Sequence, residues 1–225
     1  STSVEIELFK YPEDLAQALE NRPPDIMGFA NYSWNLNIAY DFAQRIKLKH
    51  PEVVIVFGGP NYGLTEEELA DFWAKHPAID FYLVREAEVA FAQLISTLRE
   101  VNFEVEAVKR MDSPPANAHY FENGKLIQGE MLPRIKDLNE IPSPYLEGLM
   151  DKFFDSVLIP MMHTTRGCPF SCTFCATWTV HGRKMRFRST ENVIKELEIL
   201  REKYGVNLIA VEDDLFTVKK PRFIE

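Results

Sequence analysis

The sequence has few cysteines, no excess of basic residues and no long apolar run. Its 25 Lys and Arg are outnumbered by 34 Asp and Glu, which gives a net charge of -9. This balance argues against a general nucleic-acid binder, because such proteins need a basic face to neutralise phosphates. No apolar run approaches the roughly 20 residues of a membrane span, and residues 1–10 have no basic-then-apolar signal pattern. We therefore expect a globular cytoplasmic protein, whose 46% hydrophobic content suffices for a sizeable core.

All three cysteines lie within the stretch HTTRGCPFSCTFCATW, which begins at His163. Three thiolates so close together favour an iron-sulfur cluster, zinc or cuprous copper over hard cations. A four-iron cluster normally takes four cysteines. Cys168, Cys172 and Cys175 would therefore leave one iron open to a small molecule, which favours catalysis over electron transfer alone.

Three other interpretations of the cysteines stay open on residue chemistry. A structural zinc site is closed by four protein ligands, and His163 or His181 could supply the fourth. A disulfide would leave one cysteine unpaired, and three inert buried thiols are also compatible with the sequence.

The spacing Cys-x3-Cys-x2-Cys, with Phe174 before the last cysteine, resembles the signature of the radical SAM superfamily. Arg166-Gly167 and Pro169 are similar to its cobalamin-associated branch. The resemblance implies that the cysteines ligate a 4Fe-4S cluster and that the open iron binds S-adenosylmethionine. It also implies that Phe174 lies against the adenine and that an external donor, such as flavodoxin or ferredoxin, supplies electrons.

Residues 1–100 alternate between strand and helix patterns. Strand patterns occur at Val4–Phe9, Asp25–Ala30, Val53–Phe57 and Phe81–Val84. Amphipathic helices lie between them, and Thr65 with Glu68 predicts a capping box at the start of one. This order predicts a Rossmann-like, doubly wound parallel sheet.

Ligands of such a sheet bind beyond the carboxyl ends of its strands. Tyr32 and Ser33 follow one predicted strand, and Gly58 and Gly59 follow the next. A tight turn would explain the two glycines by itself. The stretch from Val4 onward also resembles the cobalamin-binding domain that precedes many radical SAM domains, and the resemblance implies that these four residues contact cobalamin.

The sequence departs from that domain in three places. Ala30 stands where the family commonly has serine, and Arg85-Glu86-Ala87-Glu88 replaces a Gly-Glu-Gly-Glu turn. The Asp-x-His-x-x-Gly motif with the axial histidine is absent. One interpretation places the first strand and that motif upstream of Ser1; the alternatives are cobalamin bound without this histidine, or a lost cofactor.

A hairpin and a proline-rich linker are predicted after the first domain. Ala118–Phe121 and Lys125–Gln128 flank Asn123-Gly124, a strong hairpin signal, and the linker runs from Leu132 to Tyr145. We expect three regions: a cobalamin-binding-like domain at 1–100, the hairpin and linker at 101–150, and a second domain at 151–225.

The second domain shows a strand, loop, helix, strand pattern. The predicted strands are Val157–His163 and Asn207–Val211, and the helix between them begins after Ser189 or Thr190 and ends at Gly205. This order opens a parallel (β/α) barrel. The 68 residues from Leu158 to Glu225 suffice for two strand-helix units, so we expect a truncated radical SAM barrel.

Two charged groups of the second domain are candidates for the site. Glu212, Asp213 and Asp214 occupy the place where the family contacts the amino group of S-adenosylmethionine; a solvated turn is the alternative. Arg186 and Arg188 belong to a basic run similar in placement to family residues near the cluster, although such a run is more often a solvated loop.

The function predicted from this resemblance is cobalamin-dependent radical SAM chemistry. S-adenosylmethionine would be cleaved to a deoxyadenosyl radical, and an unactivated carbon of a small-molecule substrate would be methylated or otherwise modified. Two alternatives are kept. One is a radical SAM enzyme with a vestigial first domain, similar to RNA-modifying methylthiotransferases, and the other is a non-catalytic zinc or iron-sulfur module.

Overall fold

The computed structural model of the protein describes residues 4–155, 157, 159–175, 177–217 and 221. The chain divides into two compact units, one formed by Gln17–Arg134 and the other by Ser1–Ala16 together with Ile135–Glu225. Within the described ranges, no helix combines the length and the apolar character that crossing a membrane requires.

The unit Gln17–Arg134 is built on one five-stranded sheet. Its strands are β1 (Ile26–Ala30), β2 (Val54–Gly58), β3 (Phe81–Leu83), β4 (Ala118–Glu122) and β5 (Lys125–Gln128). They lie side by side in chain order, with β1, β2 and β3 parallel and β4 and β5 antiparallel. The parallel α/β arrangement is therefore confirmed, and the predicted hairpin forms the antiparallel edge of the same sheet.

Helices precede and connect these strands. They are α1 (Pro12–Asn21), α2 (Leu36–Lys49), α3 (Glu66–Lys75), α4 (Glu88–Glu100) and α5 (Val105–Lys109). The predicted capping box is present at α3, where the Glu68 N–H donates to Thr65 Oγ1 at 3.2 Å and the Thr65 N–H donates to Glu68 Oε2 at 3.1 Å. Two amides of the first turn are thereby satisfied.

Strand β2 lies in the core of this unit. Val54, Ile55, Val56 and Phe57 are all at most 3% exposed, as expected for a parallel strand that is covered on both faces. The hairpin β4–β5 turns at Gly124 and its preceding asparagine, with φ values of 77° and 49°. Two consecutive positive φ values are what a type I′ turn requires.

The second unit contains short elements around the cysteine stretch. They are β6 (Met161–Met162), β7 (Thr165–Arg166), α6 (Thr177–Val180), β8 (Arg186–Phe187), α7 (Thr190–Glu202) and β9 (Ala210–Val211). β6 pairs with β9 in parallel, and β7 pairs with β8 antiparallel. Ser189 caps α7 by accepting the Asn192 N–H, and Gly205 follows the helix with a φ of 65°.

Three strand predictions need correction. Val4–Phe9 is not a strand: Ile6 is 61% exposed, and Lys10 holds the segment by donating to the Phe153 carbonyl. Of Val157–His163, the described part is a strand only at Met161–Met162, because Pro160 has no N–H for a ladder; Leu158 lies outside the described residues. The strand at Asn207–Val211 is likewise limited to the two residues that pair with β6.

Candidate functional site

The cysteine loop starts after β7 and returns to β8. Its base is closed by the β7–β8 pairing and by the Cys168 N–H, which donates to the Gly182 carbonyl at 3.1 Å. Gly167 has a φ of 101°, and a Cβ there would lie 2.5 Å from the Lys184 carbonyl oxygen. Only glycine therefore allows the two arms of the loop to approach this closely.

The three thiols lie on the outer part of this loop. Cys172 is exposed and the other two are half-buried. Hydrogen bonding from Thr177 lowers the pKa of the Cys175 thiol, which favours the thiolate that binds metals. Among the described residues, no three Cys, His, Asp or Glu side chains lie close enough together to hold a metal ion. The thiols are accessible, and Phe174 beside them is 91% exposed.

Asp213 follows β9 and contacts the residues just before the loop. The N–H groups of Thr164 and Thr165 donate to its Oδ1 at 2.6 and 2.9 Å, and the Thr164 hydroxyl donates to Oδ2 at 2.5 Å. Both threonines are at most 5% exposed. Asp213 thus accepts hydrogen bonds from two buried amides just before the cysteine loop.

Asp214 contacts both arms of the loop. The Gly167 N–H donates to its Oδ2 at 3.0 Å, and His181 Nδ1 donates to the same oxygen at 2.8 Å. Burial acts to raise the pKa of Asp214, but the His181 and Gly167 hydrogen bonds outweigh it and lower that pKa. Glu212 is exposed, and within the described part of the chain no hydrogen bond or ion pair joins its carboxylate.

Two arginines of the basic run are not solvated, contrary to the simpler sequence interpretation, whereas Arg183 in the same run is exposed. Arg186 is 7% exposed and donates to the carbonyls of Ile135 and His181 at 2.7 and 2.8 Å. Arg188 pairs at 2.7 Å with Glu196, which is 1% exposed on α7. These charges hold the outgoing arm of the loop against the rest of its unit.

The other candidate site lies at the carboxyl ends of β1 and β2 in the sheet unit. Tyr32 and Trp34 stack with ring centroids 4.6 Å apart, and Trp34 is 79% exposed. Ser33 between them is also exposed. The loop after β1 therefore presents a flat aromatic surface beyond the strand end.

Gly59 allows two backbone segments to approach each other closely. Its φ is 138°, and a Cβ there would lie 2.4 Å from the Asn31 carbonyl oxygen. The Asn31 N–H donates to the Gly58 carbonyl at 2.7 Å, and the Tyr82 hydroxyl donates to the Gly59 carbonyl at 2.8 Å. The tight-turn explanation is sufficient for Gly59, whereas Gly58 has only an ordinary contact of 3.4 Å to Leu83.

A buried polar and aromatic network behind this edge was not predicted. Tyr62 stacks on Tyr82 at 3.9 Å, and its hydroxyl accepts from Trp73 Nε1 at 2.8 Å and lies 3.2 Å from His119 Nδ1. Burial lowers the pKa of His119 to about 4. Tyr62 lies in a predicted loop, Trp73 in a predicted helix and Tyr82 in a predicted strand, and the sequence pattern does not indicate that they meet.

The loop after β3 contains a left-handed residue at the turn where the family commonly has glycines. Arg85 has a φ of 63°, a left-handed conformation that favours glycine. Asn117 fixes this loop: its side-chain amide donates to the carbonyls of Val84 and Glu86 at 3.3 and 3.2 Å, and its oxygen accepts the Leu132 N–H at 2.6 Å. Asn117 thus links this turn to the segment that follows the hairpin.

Two family models match the chain, one over each of these sites. The model described as the B12 binding domain matches residues 3–95, and the model described as the radical SAM superfamily matches residues 162–222. The chain thus combines a B12 binding domain with a radical SAM domain. The expectation drawn from its cysteine spacing and its strand order is thereby confirmed.

Curated relatives of this B12-binding radical SAM chain include several methyltransferases. An uncharacterized methyltransferase of Pyrococcus horikoshii is 34% identical over 94% of this chain and 44% of its own length. The cobalamin-dependent radical SAM methyltransferase TokK of Streptomyces tokunonensis is 29% identical over 78% of this chain and 25% of its own. The hopanoid C-3 methylase of Methylococcus capsulatus is 29% identical over 84% and 35%. The chain thus spans less than half the length of these relatives.

The B12-binding radical SAM fold is also found in a solved structure. The radical S-adenosylmethionine methyltransferase TsrM of Kitasatospora setae, solved with tryptophan and an analogue of S-adenosylmethionine, matches 93% of this chain and 40% of its own with a TM-score of 0.65. A second TsrM structure contains cobalamin and a [4Fe-4S] cluster. At 14% identity this likeness shows the fold alone.

Proposed function

We propose that this protein is a cobalamin-dependent radical SAM methyltransferase that acts on an unactivated carbon of a small molecule. The observation that carries the proposal is the presence, in one chain, of a B12-binding unit and of three thiols on a loop with a fixed base. Relatives that match both parts include three named as a methyltransferase or methylase and two named as anaerobic magnesium-protoporphyrin IX monomethyl ester cyclases. An external low-potential donor such as flavodoxin or ferredoxin is part of the proposal.

The thiols fit an iron-sulfur cluster by their chemistry and their access. Cys168, Cys172 and Cys175 would hold three irons, and soft thiolates at a half-buried loop suit such a cluster. When bound, the cluster with S-adenosylmethionine supplies reductive formation of a carbon radical, and methylcobalamin supplies the methyl group. Phe174 is exposed and free to lie against adenine, and the exposed carboxylate of Glu212 suits the methionine ammonium.

The sheet unit contributes surface for cobalamin. Tyr32 and Trp34 form an exposed aromatic stack, which suits contact with a large flat ring. Ser33, which stands between them in the sequence, adds an exposed hydroxyl that can hydrogen-bond. Gly58 leaves the end of β2 without a side chain. What the protein itself does is orient the cofactors and exclude water from the reacting atoms.

The test is anaerobic reconstitution of the full-length protein with iron and sulfide. We expect about four irons per chain and an electron-paramagnetic signal that S-adenosylmethionine perturbs. Cys172→Ala should lose the iron, whereas the matched control Ser171→Ala, exposed one residue away, should keep it. Stoichiometric zinc in the wild type would favour the non-catalytic module.

A second measurement tests the B12 site. Bound corrin, followed by its visible absorbance, should be lost in Tyr32→Ala/Trp34→Ala and retained in Leu48→Ala, which removes an exposed side chain of α2. If the wild type retains no corrin while it forms the cluster, the vestigial-domain alternative is favoured instead.

A further inference from the structure

The carboxylates of Asp213 and Asp214 accept hydrogen bonds from residues at the base of the cysteine loop. Asp213 receives three donors, all from Thr164 and Thr165 at the loop's entrance. An ionised carboxylate has about four acceptor positions on two oxygens. Both oxygens of Asp213 are already used within the protein, so this residue is poorly placed to receive the ammonium of a ligand.

Asp214 joins the two arms of the loop through one oxygen. Gly167 lies directly before the first cysteine and His181 directly before the residue that accepts the Cys168 N–H. The sequence separations of these contacts are 47 and 33 residues. A single carboxylate just after β9 therefore contacts both ends of the segment that carries all three thiols.

The fixed base matters because the three thiols of the loop must converge on one cluster. Binding a cluster must order the loop between its two ends, and the entropic cost of closing a loop falls when its ends are already held together. Charge-assisted hydrogen bonds to buried amides are the stronger kind for this purpose.

We infer that Asp213 and Asp214 are positioning residues that hold the base of the cysteine loop closed before the cluster binds. The inference rests on the proposed function for the role of the loop, but not for the contacts themselves. It assigns to the two aspartates a task different from contact with S-adenosylmethionine.

The experiment uses the full-length, metal-free protein and its variants Asp213→Ala, Asp214→Ala and Asp214→Asn, with Glu212→Gln as the matched control. The first readout is hydrogen exchange at the amides of Thr164, Thr165 and Gly167. The second is the iron retained per chain after reconstitution and dilution into a chelator.

Loss of Asp213 should speed exchange at the two threonine amides, and loss of Asp214 should speed exchange at Gly167, each by about tenfold to a hundredfold. Iron retention should fall in the same variants. Asp214→Asn keeps an acceptor oxygen, so its exchange and iron retention should lie between those of the wild type and Asp214→Ala. Glu212→Gln should leave both unchanged.

The opposite pattern would overturn the inference. If the aspartates instead bound the ligand's ammonium, hydrogen exchange would be unaltered in every variant. The Asn and Ala variants would then equally weaken the effect of S-adenosylmethionine on the electron-paramagnetic signal. If Asp214→Ala unfolds its unit, the Asn variant still decides between the two. Failure of the wild type to bind iron would refute the proposed function alone, because the exchange measurement does not need the cluster.

Discussion

Gly59→Ala tests whether the turn after β2 is built for backbone packing. The new Cβ would lie 2.4 Å from the Asn31 carbonyl oxygen and 3.0 Å from the Asn31 carbonyl carbon and nitrogen. Real Cβ contacts do not reach the first distance, so the backbone of a fully buried asparagine must move. The φ of 138° is also one that side chains disfavour.

The magnitude follows from these two effects. Backbone strain contributes about 1–3 kcal/mol. Moving Asn31 also endangers its hydrogen bonds to Asn61 and Tyr82, at 2.6 and 3.0 Å, and one buried group left unpaired costs a further 1–3 kcal/mol or so. We expect the free energy of unfolding of this unit to fall by about 2–6 kcal/mol.

The assay is urea denaturation followed by tryptophan fluorescence, since Trp73 is buried in the same unit. Gly124→Ala is the matched control, because its φ of 77° carries the strain while a Cβ there meets nothing within 4 Å. It should cost about 1 kcal/mol. If Gly59→Ala costs no more than Gly124→Ala, the close approach of Asn31 is not what selects glycine at this position.

Three further predictions concern single interactions. The pKa of His119 is about 4 in the folded protein and about 6.5 in the unfolded chain. The free energy of unfolding of this unit should therefore fall by about 3 kcal/mol as the pH falls from 6.5 to 4. In His119→Gln, which keeps a polar group near Tyr62, denaturation midpoints measured across that range should depend less steeply on pH. Arg85→Gly should relieve the left-handed strain and stabilise by about 0.5–1 kcal/mol, measured as a higher urea midpoint, and an unchanged midpoint would mean that Arg85 is not strained. Glu196→Gln should leave Arg188 buried without its counter-charge and lower the free energy of unfolding by about 3–5 kcal/mol. Replacing both Glu196 and Arg188, by Leu and Met, should restore much of the loss, and thermal unfolding measures both effects.

Features that depend on neighbouring residues could be predicted from the sequence. The capping box of α3 needs only Thr65 and Glu68, and the hairpin needs only Asn123-Gly124 between apolar runs. Strand β2 was predicted because its five residues are apolar on both faces, which only a covered parallel strand explains. The cysteine loop was recognised for the same reason, since its spacing is a local property.

Features that depend on distant partners could not be predicted in this way. The alternation of Val4–Phe9 is that of a strand, but a strand also needs a neighbouring ladder, and the segment instead reaches Asp155 through Lys10 and Tyr11. Arg186 looks like part of a solvated basic run until its carbonyl acceptors are known. The acids after β9 were expected near S-adenosylmethionine because they occupy the place where the family contacts its amino group. The contacts of Asp213 and Asp214 with the base of the cysteine loop, and the exposure of Glu212, could not be read from that placement.

The contact between Asp214 and Gly167 sets an order of events during synthesis. The two residues are 47 positions apart, and a ribosome adding about 5–20 residues per second needs about 2–9 s to cover that distance. The carboxylate that joins the loop is therefore made after all three thiols. On the proposed function, the loop can receive a cluster with its base closed only after β9 has formed and paired with β6.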